Sequence, residues 1–365
     1  MFQETVLRVS ALAEGGGGLI VVAGTGHAEA IATQLSEIGI GATVLLEPEA
    51  RDSAPAMAAA AAFIQAQDPR GVAAIIASDH HIPDAEAFRA AIRTAAVEAG
   101  QGRIVTLGVT PTGPSAAYGY ICPAGPGLAP VSRFVEKPDA PTAARYVAEG
   151  FLWNSGNFIV AASTLMEELA LHAPGIGESA RAALPTGRTG SVIRLTDAFR
   201  AAPKISIDYA VMEKSERTSV LPVSFAWSDL GAWDAIRDTG TGAVGVHVGV
   251  DSQDCLVRAP DGVVVATLGV SNLAVIVEAD AVLVCDLARA QEVKTVVDRI
   301  KAEAAGHADF PVTRDPAPWA SFGDWMRTAA LPLWSTLGVR ADGGFVETLT
   351  PEGRPQEDRR RARVQ

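Results

Sequence analysis

The run AIIASDHHIPD (74–84) carries an apolar stretch into Asp79, His80 and His81. An acid after a strand commonly closes a turn or caps a helix, and it also suits an oxygen-seeking cation. Adjacent histidines project in opposite directions from an extended chain and make a poor shared zinc site. Mg2+ needs only one or two carboxylates together with a ligand's phosphate oxygens, which favours Asp79 among the three. Further on, RFVEKP (133–138) places Glu136 and Lys137 at the end of a strand-like run that Pro138 stops. Neighbouring strand residues face opposite sides, so the two either address different parts of one ligand or form a solvated, ion-paired edge. WNSGNF (153–158) sets Asn154 and a hydroxyl beside a glycine, where hydrogen-bonding groups and close backbone approach coincide, unless it is a simple turn. AAYGYI (116–121) and SIDYAVMEK (206–214) add Gly119 and Asp208 in apolar settings. AWSDLGAW (226–233) holds Asp229 between two tryptophans, and a buried carboxylate there requires a strong partner such as a metal or backbone donors.

The elements that must position these groups follow from the apolar patterning. GLIVVAG (18–24), ATVLLEP (42–48) and VAAIIAS (72–78) read as strands separated by a helical pattern to about residue 38 and an alanine-rich helix over 54–66. This β-α-β-α-β order favours a parallel sheet with helices on its faces, and ligands collect at the carboxyl ends of such strands. Asp79 stands at one of those ends. A helix begins near Asp84 and ends at Gly100, and RIVTLGVTP (103–111) reads as the next strand. The chain has 365 residues, 48% of them hydrophobic, enough for a large core and two or three domains. No apolar run approaches the ~20 residues of a membrane span, so no membrane partner is expected. A formal charge of −12 argues against nucleic acid as a partner. It also means that an anionic small substrate needs a local positive pocket. Cys122, Cys255 and Cys285 are widely spaced without a CxxC pair, and the N-terminus lacks a secretory pattern, so a cytoplasmic protein with reduced thiols is expected.

Taken in order, EPEARDSAPA (47–56), ASDHHI, YGYI, FVEKP, WNSG, SIDYAVMEK and WSDLGAW resemble the nucleotidyltransferase domain of bacterial mannose-1-phosphate guanylyltransferases over roughly residues 1–305. The resemblance implies a Rossmann-like α/β fold of GT-A type, a mixed sheet with helices on both faces, in a domain covering 1–240. It implies GTP and mannose 1-phosphate as substrates, GDP-mannose and pyrophosphate as products, and Mg2+ held by Asp79 and Asp229. It places Lys137 on the sugar phosphate, Glu136 and Asn154 on sugar hydroxyls, Gly119 at a close backbone contact, and Asp208 at a motif position in the substrate site. It places guanine against the segment holding Arg51, Asp52, Ser53 and Pro55, where Asp52-Ser53 replaces the family's commoner Asn-Thr. His80 occupies the family's histidine position, and His81 is expected to be incidental.

The family also opens with a strand and a glycine-rich loop, GGxGTRLWPxSRxxxPKQ, that holds the triphosphate. MFQETVLR aligns just after it, and Gly15 to Gly18 bring no Arg or Lys to replace it. The expectation is an incomplete form with little activity as given, in which the two neighbours of a central strand keep open edges. An inactive sugar-phosphate-binding subunit and a pyrophosphorylase for another sugar are the alternatives. Beyond Gly242, short β segments with frequent turns predict a small left-handed β-helix-like domain over 241–305, matching the family and suited to homodimer contact, with a β-sandwich as the alternative. Residues 306–365, rich in tryptophan (Trp319, Trp325, Trp334) and with Phe322 and Phe345, resemble a linker and the opening of an N-acylglucosamine 2-epimerase or mannose isomerase-like helical domain.

Overall fold

The computed structural model describes residues 1–13, 17–187, 190–238, 240, 244–278, 281–303 and the pairs 348–349 and 355–356. The aromatic-rich tail expected to open a helical domain lies, apart from those two pairs, outside the described residues, as do Gly15 and Gly16. The chain divides into Met1–Gln291 and Glu292–Gln365.

Along the first unit the elements run α1 (Phe2–Ser10), β1 (Ile20–Gly24), α2 (Ala28–Glu37), β2 (Thr43–Glu47), α3 (Ser53–Gln67), β3 (Val72–Ile75), α4 (Ala85–Ala99) and β4 (Ile104–Val109). They continue with β5 (Tyr120–Pro123), β6 (Ala129–Val135), α5 (Ala140–Ala148), β7 (Leu152–Ala161), α6 (Ala162–His172), α7 (Pro174–Ala183), β8 (Val192–Arg194), β9 (Thr218–Val223) and α8 (Trp233–Asp238). Helix boundaries follow local chemistry. Asp52, Asp84 and Asp139 cap α3, α4 and α5 by accepting backbone N–H bonds, and Gly100 ends α4 as expected.

The sheet is mixed, and it is divided. Six strands in the order β3-β7-β4-β9-β6-β5 form the main sheet, while β1, β2 and β8 form a separate parallel one. The parallel pairing expected of the first three strands holds for β1 and β2 only; β3 runs antiparallel to β7. Strand β7 is long enough to pair with β3, β4 and β5. Strand β4 is buried throughout, sending Ile104 into the cluster formed with α3, α6 and α7, and Val105, Leu107 and Val109 into the one formed with Phe88 of α4 and Tyr146 of α5. Covered on both faces, such a strand reads as a continuous apolar run. Both β1 and β3 are end strands of their sheets. Helix α1 packs against α2 and α4: Val6 clusters with α2 and β2, and Val9 with Phe88 and Ile92 of α4.

After α8 come β10 (Val246–Val250), β11 (Leu256–Arg258), β12 (Val264–Leu268), β13 (Leu273–Val277) and β14 (Val282–Asp286). Here β10 pairs with β12 and β11 with β13, both in parallel and both 18 positions apart, Val246 with Val264 and Leu256 with Ala274. Gln253 and Ser271 bridge at the same interval. Parallel pairing repeated at an interval of 18 is a stacked coil rather than a sandwich, and β14 closes it by running antiparallel to β13. The second unit contains α9 (Val293–Glu303).

Candidate functional site

Asp79 lies in the turn beyond β3, exposed, and its carboxylate takes no hydrogen bond from the described residues. Asp84, five residues on, caps α4 instead. The Asp79 turn is stitched to the Asp229 loop by a two-way backbone bridge in which His81 N donates to Ser228 O (2.9 Å) and Ser228 N to His81 O (3.1 Å). His81 therefore acts through its backbone. Trp227 Nε1 donates to His80 Nδ1 at 3.3 Å, which places the imidazole proton on Nε2. Burial holds His80 below the usual histidine range, against the opposing pull of Asp79 and Asp229. Both carboxylates thus lie within electrostatic reach of the imidazole.

The half-buried Asp229 has the partners its setting requires: its Oδ1 accepts from the Tyr118 hydroxyl (3.0 Å) and from Gly231 N (3.1 Å). Burial, and then the Asp229 charge, push the Tyr118 phenol well above its ordinary range, so it remains a donor. Tyr118 packs edge-on against Trp153 and Trp227. Among the described residues no group of three or more His, Cys, Asp or Glu side chains is arranged to hold a metal. Asp79 and Asp229 would be enough for Mg2+ under that restriction, since Mg2+ takes one or two carboxylates when phosphate and water oxygens supply the rest.

A second group surrounds Asn154. Its Oδ1 accepts from Thr106 Oγ1 (3.0 Å) and Gly156 N (3.1 Å), while its Nδ2 donates to Asp208 Oδ1 (3.1 Å). The amide orientation is thereby fixed, with one N–H left for a ligand. Asp208 opens a π-helical turn, Asp208–Met212, a form frequent at functional sites. Burial raises the pKa of Asp208, and burial followed by the Asp208 charge raises that of Glu136, which Lys137 opposes. Gly119 leaves room here: a Cβ on it would stand 2.5 Å from Glu136 Oε2, which would have to shift, and 3.3 Å from Asn154 Cβ. Of the two readings offered for Glu136 and Lys137, the ion-paired one holds, and the expectation that they face opposite sides of a strand is corrected. β6 ends at Val135, Lys137 adopts φ 46°, and its Nζ stands 3.5 Å from Glu136 Oε1. A left-handed backbone at Lys137 turns the two side chains toward each other.

The segment 51–55 joins this second group through the Ser53 hydroxyl and the Ala54 main chain. Ser53 Oγ accepts from Ile207 N (2.9 Å) and Ala54 N donates to Ile205 O (3.2 Å), one and three residues before Asp208. Asp52 holds φ 71° while its carboxylate accepts from Ser53 N, Pro55 is buried in the first turn of α3, and Arg51 Nη2 meets Glu49 at 3.3 Å. The two groups meet at β7, where Gly156, two residues beyond Asn154, would place a Cβ 3.8 Å from His80 Cε1.

Sequence reasoning missed Glu47, Tyr118 and Trp227. Tyr118 and Trp227 sat inside motifs already singled out, next to Gly119 and two residues before Asp229. Glu47 ends β2, 8% exposed, with Oε1 unpartnered among the described residues, and burial pushes it up to about 7. Glu47 opens the EPEARDSAPA run (47–56) already singled out, and that was the available signal.

A mixed sheet bearing paired carboxylate loops, followed by a stacked β coil, is the architecture of a sugar-nucleotide nucleotidyltransferase with an appended β-helix. The Nucleotidyl transferase family matches residues 1–243, and the MannoseP isomerase/GMP-like beta-helix domain matches residues 245–300. The chain belongs to the nucleotidyl transferase family, in the branch of the bacterial mannose-1-phosphate guanylyltransferases. It is 40% identical to the xanthan biosynthesis protein XanB of Xanthomonas campestris pv. campestris (strain B100), over 88% of this chain and 70% of that one. It is 36% identical to mannose-1-phosphate guanylyltransferase of Escherichia coli (strain K12), over 83% of this chain and 67% of the relative. The crystal structure of mannose-1-phosphate geranyltransferase from Thermus thermophilus superposes with a TM-score of 0.71 at 33% identity, covering 82% of this chain and 89% of that one.

Proposed function

We propose that this protein transfers GMP from GTP to mannose 1-phosphate, giving GDP-mannose and pyrophosphate. The observation that carries the reading is the bridging of the Asp79 and Asp229 loops around His80, next to the pocket of Gly119, Glu136, Lys137, Asn154 and Asp208. Nucleophile and electrophile are both anionic phosphates, and Glu136 and Asp208 add acids to the pocket, so a cation must offset their repulsion. Asp79 and Asp229 would hold Mg2+, which when bound neutralises phosphate oxygens and stabilises charge at the α-phosphorus.

The chain's own residues do the rest. The Tyr118 hydroxyl and Gly231 amide bind one oxygen of Asp229 and leave the other for the cation. Lys137, 62% exposed, presents an ammonium to the sugar phosphate. Glu136 accepts from a sugar hydroxyl and the remaining Asn154 N–H donates to one, with Asp208 holding that amide in place. Arg51, Asp52, Ser53 and Pro55 form the guanine side of the site. Cys122, Cys255 and Cys285 are free thiols, in keeping with a cytoplasmic setting, and no described helix is long and apolar enough to cross a membrane. A homodimer joined through the exposed valine ribbon of β10 and β12 completes the reading.

The test is product identification by ion-pairing chromatography, with each nucleoside triphosphate offered in turn with mannose, glucose or N-acetylglucosamine 1-phosphate and Mg2+. Residues 1–365 are assayed alone and preceded by the family's glycine-rich segment. GDP-mannose as the dominant product supports the reading. Another sugar nucleotide reassigns the substrate, and no product from either protein leaves a sugar-phosphate-binding subunit.

A further inference from the structure

Helix α1 places two hydrogen-bond donors on the Asp79 turn. Thr5 Oγ1 donates to Ser78 O at 3.1 Å and Arg8 Nη2 donates to His80 O at 3.2 Å. Residues three apart on a helix project together, and the two carbonyls they take are those immediately before and after Asp79. Both side chains are deeply buried, each 6% exposed. The Arg8 guanidinium lies 5.8 Å from the centre of the Phe88 ring, and its Nη1 has no hydrogen-bond partner among the described residues. Burial lowers its pKa, with Glu4 opposing. Burying a guanidinium against one neutral carbonyl and one ring is expensive, and an apolar side chain would pack on Phe88 without that cost. What the guanidinium adds is its grip on His80 O and a positive charge beneath the turn. The turn needs the grip: among the described residues the Asp79 carboxylate makes no hydrogen bond, and the opposite side of the turn is held by the His81–Ser228 bridge and the Trp227–His80 contact.

We infer that Thr5 and Arg8 are positioning residues that fix the Asp79 carboxylate for a divalent cation by clasping the carbonyls on either side of it. The inference rests on the two-carboxylate site proposed above. On this account α1 serves the chemistry although none of its side chains touches a substrate.

The test uses residues 1–365 with Mn2+ as the probe, bound ion being read by loss of the free-ion paramagnetic resonance signal, alongside hydrogen exchange of the peptide spanning 76–83. Arg8→Gln and Thr5→Val should each weaken Mn2+ binding about tenfold or more, as the loss of one or two hydrogen bonds predicts, and should speed exchange in that peptide while exchange elsewhere is unchanged. Thr5→Ser, which restores the hydroxyl and loses the methyl, should behave as wild type. Should Arg8→Gln fail to fold, the Thr5 pair decides the question. Unchanged Mn2+ affinity and exchange in a folded Arg8→Gln or Thr5→Val variant overturns the clasp. Wild-type protein without saturable Mn2+ binding, or with binding that survives Asp79→Asn, overturns the two-carboxylate reading instead, and the exchange data then judge the clasp by themselves.

Discussion

Lys137 and Glu47 show how charge is managed at single positions. Lys137 is the cation beside two acids, Glu136 and Asp208, and its left-handed backbone turns it toward Glu136. Lys137→Ala should raise the KM for mannose 1-phosphate about 10- to 100-fold, the worth of one charge-assisted contact, and leave the KM for GTP nearly unchanged. Initial rates with each substrate varied check this, and the opposite pattern would move Lys137 to the nucleotide. Glu47 predicts a pH effect on stability. Its folded-state pKa, about 7, lies above the ordinary 4.5, so the folded protein holds a proton that the unfolded chain has released. This contribution is fully present below pH 4.5 and is lost as pH rises through 7, at most about 3 kcal/mol. Glu47→Gln should remove that slope, so urea melts at pH 5 and 8 should show the variant gaining on wild type at the higher pH. Equal differences at both values would mean that Glu47 finds a donor in solution.

At the level of elements, the loops beyond strand ends were legible because their residues are chemically unusual for their surroundings. Asp79 after AIIAS, Asp229 between tryptophans, and Asn154 and Gly119 beside apolar runs could all be picked out from the sequence. The Glu136–Lys137 geometry was not legible, since a positive φ at a lysine leaves no trace in the pattern. The division into two sheets was hidden because β1, β2 and β3 have the same apolar character and nothing in their composition records that β3 pairs antiparallel with β7. The role of α1 was invisible for a related reason: Thr5 and Arg8 reach their partners across more than 70 positions of sequence. Gly119 allows a test at this scale. Gly119→Ala would drive a methyl against Glu136 Oε2, so it should raise the KM for mannose 1-phosphate at least about tenfold while shifting the melting temperature by only a few degrees. A variant with wild-type kinetics would show that Glu136 can move aside without consequence.

For the whole molecule, the β coil carries an apolar ribbon that its own unit leaves uncovered. Val246, Val248 and Val250 of β10 stand beside Val264, Ala266 and Leu268 of β12, with the five larger side chains 51–72% exposed. Uncharged ribbons of this kind mark contact surfaces, and a second copy presents the same strip for an isologous contact. Val248→Lys should convert a dimer to a monomer in sedimentation velocity with little change in melting temperature, and a wild-type monomer would remove the homodimer from the proposal. The central claim is tested most directly by one measurement: the Mg2+ dependence of pyrophosphate release from GTP and mannose 1-phosphate, in residues 1–365 preceded by the family's glycine-rich segment, comparing Asp79→Asn and Asp229→Asn with the unsubstituted chain. The account predicts that each substitution lowers turnover by at least about a hundredfold at every Mg2+ concentration, the value of several kcal/mol of charge stabilisation, while cooperative melting persists. Near-normal rates in either folded variant would contradict it.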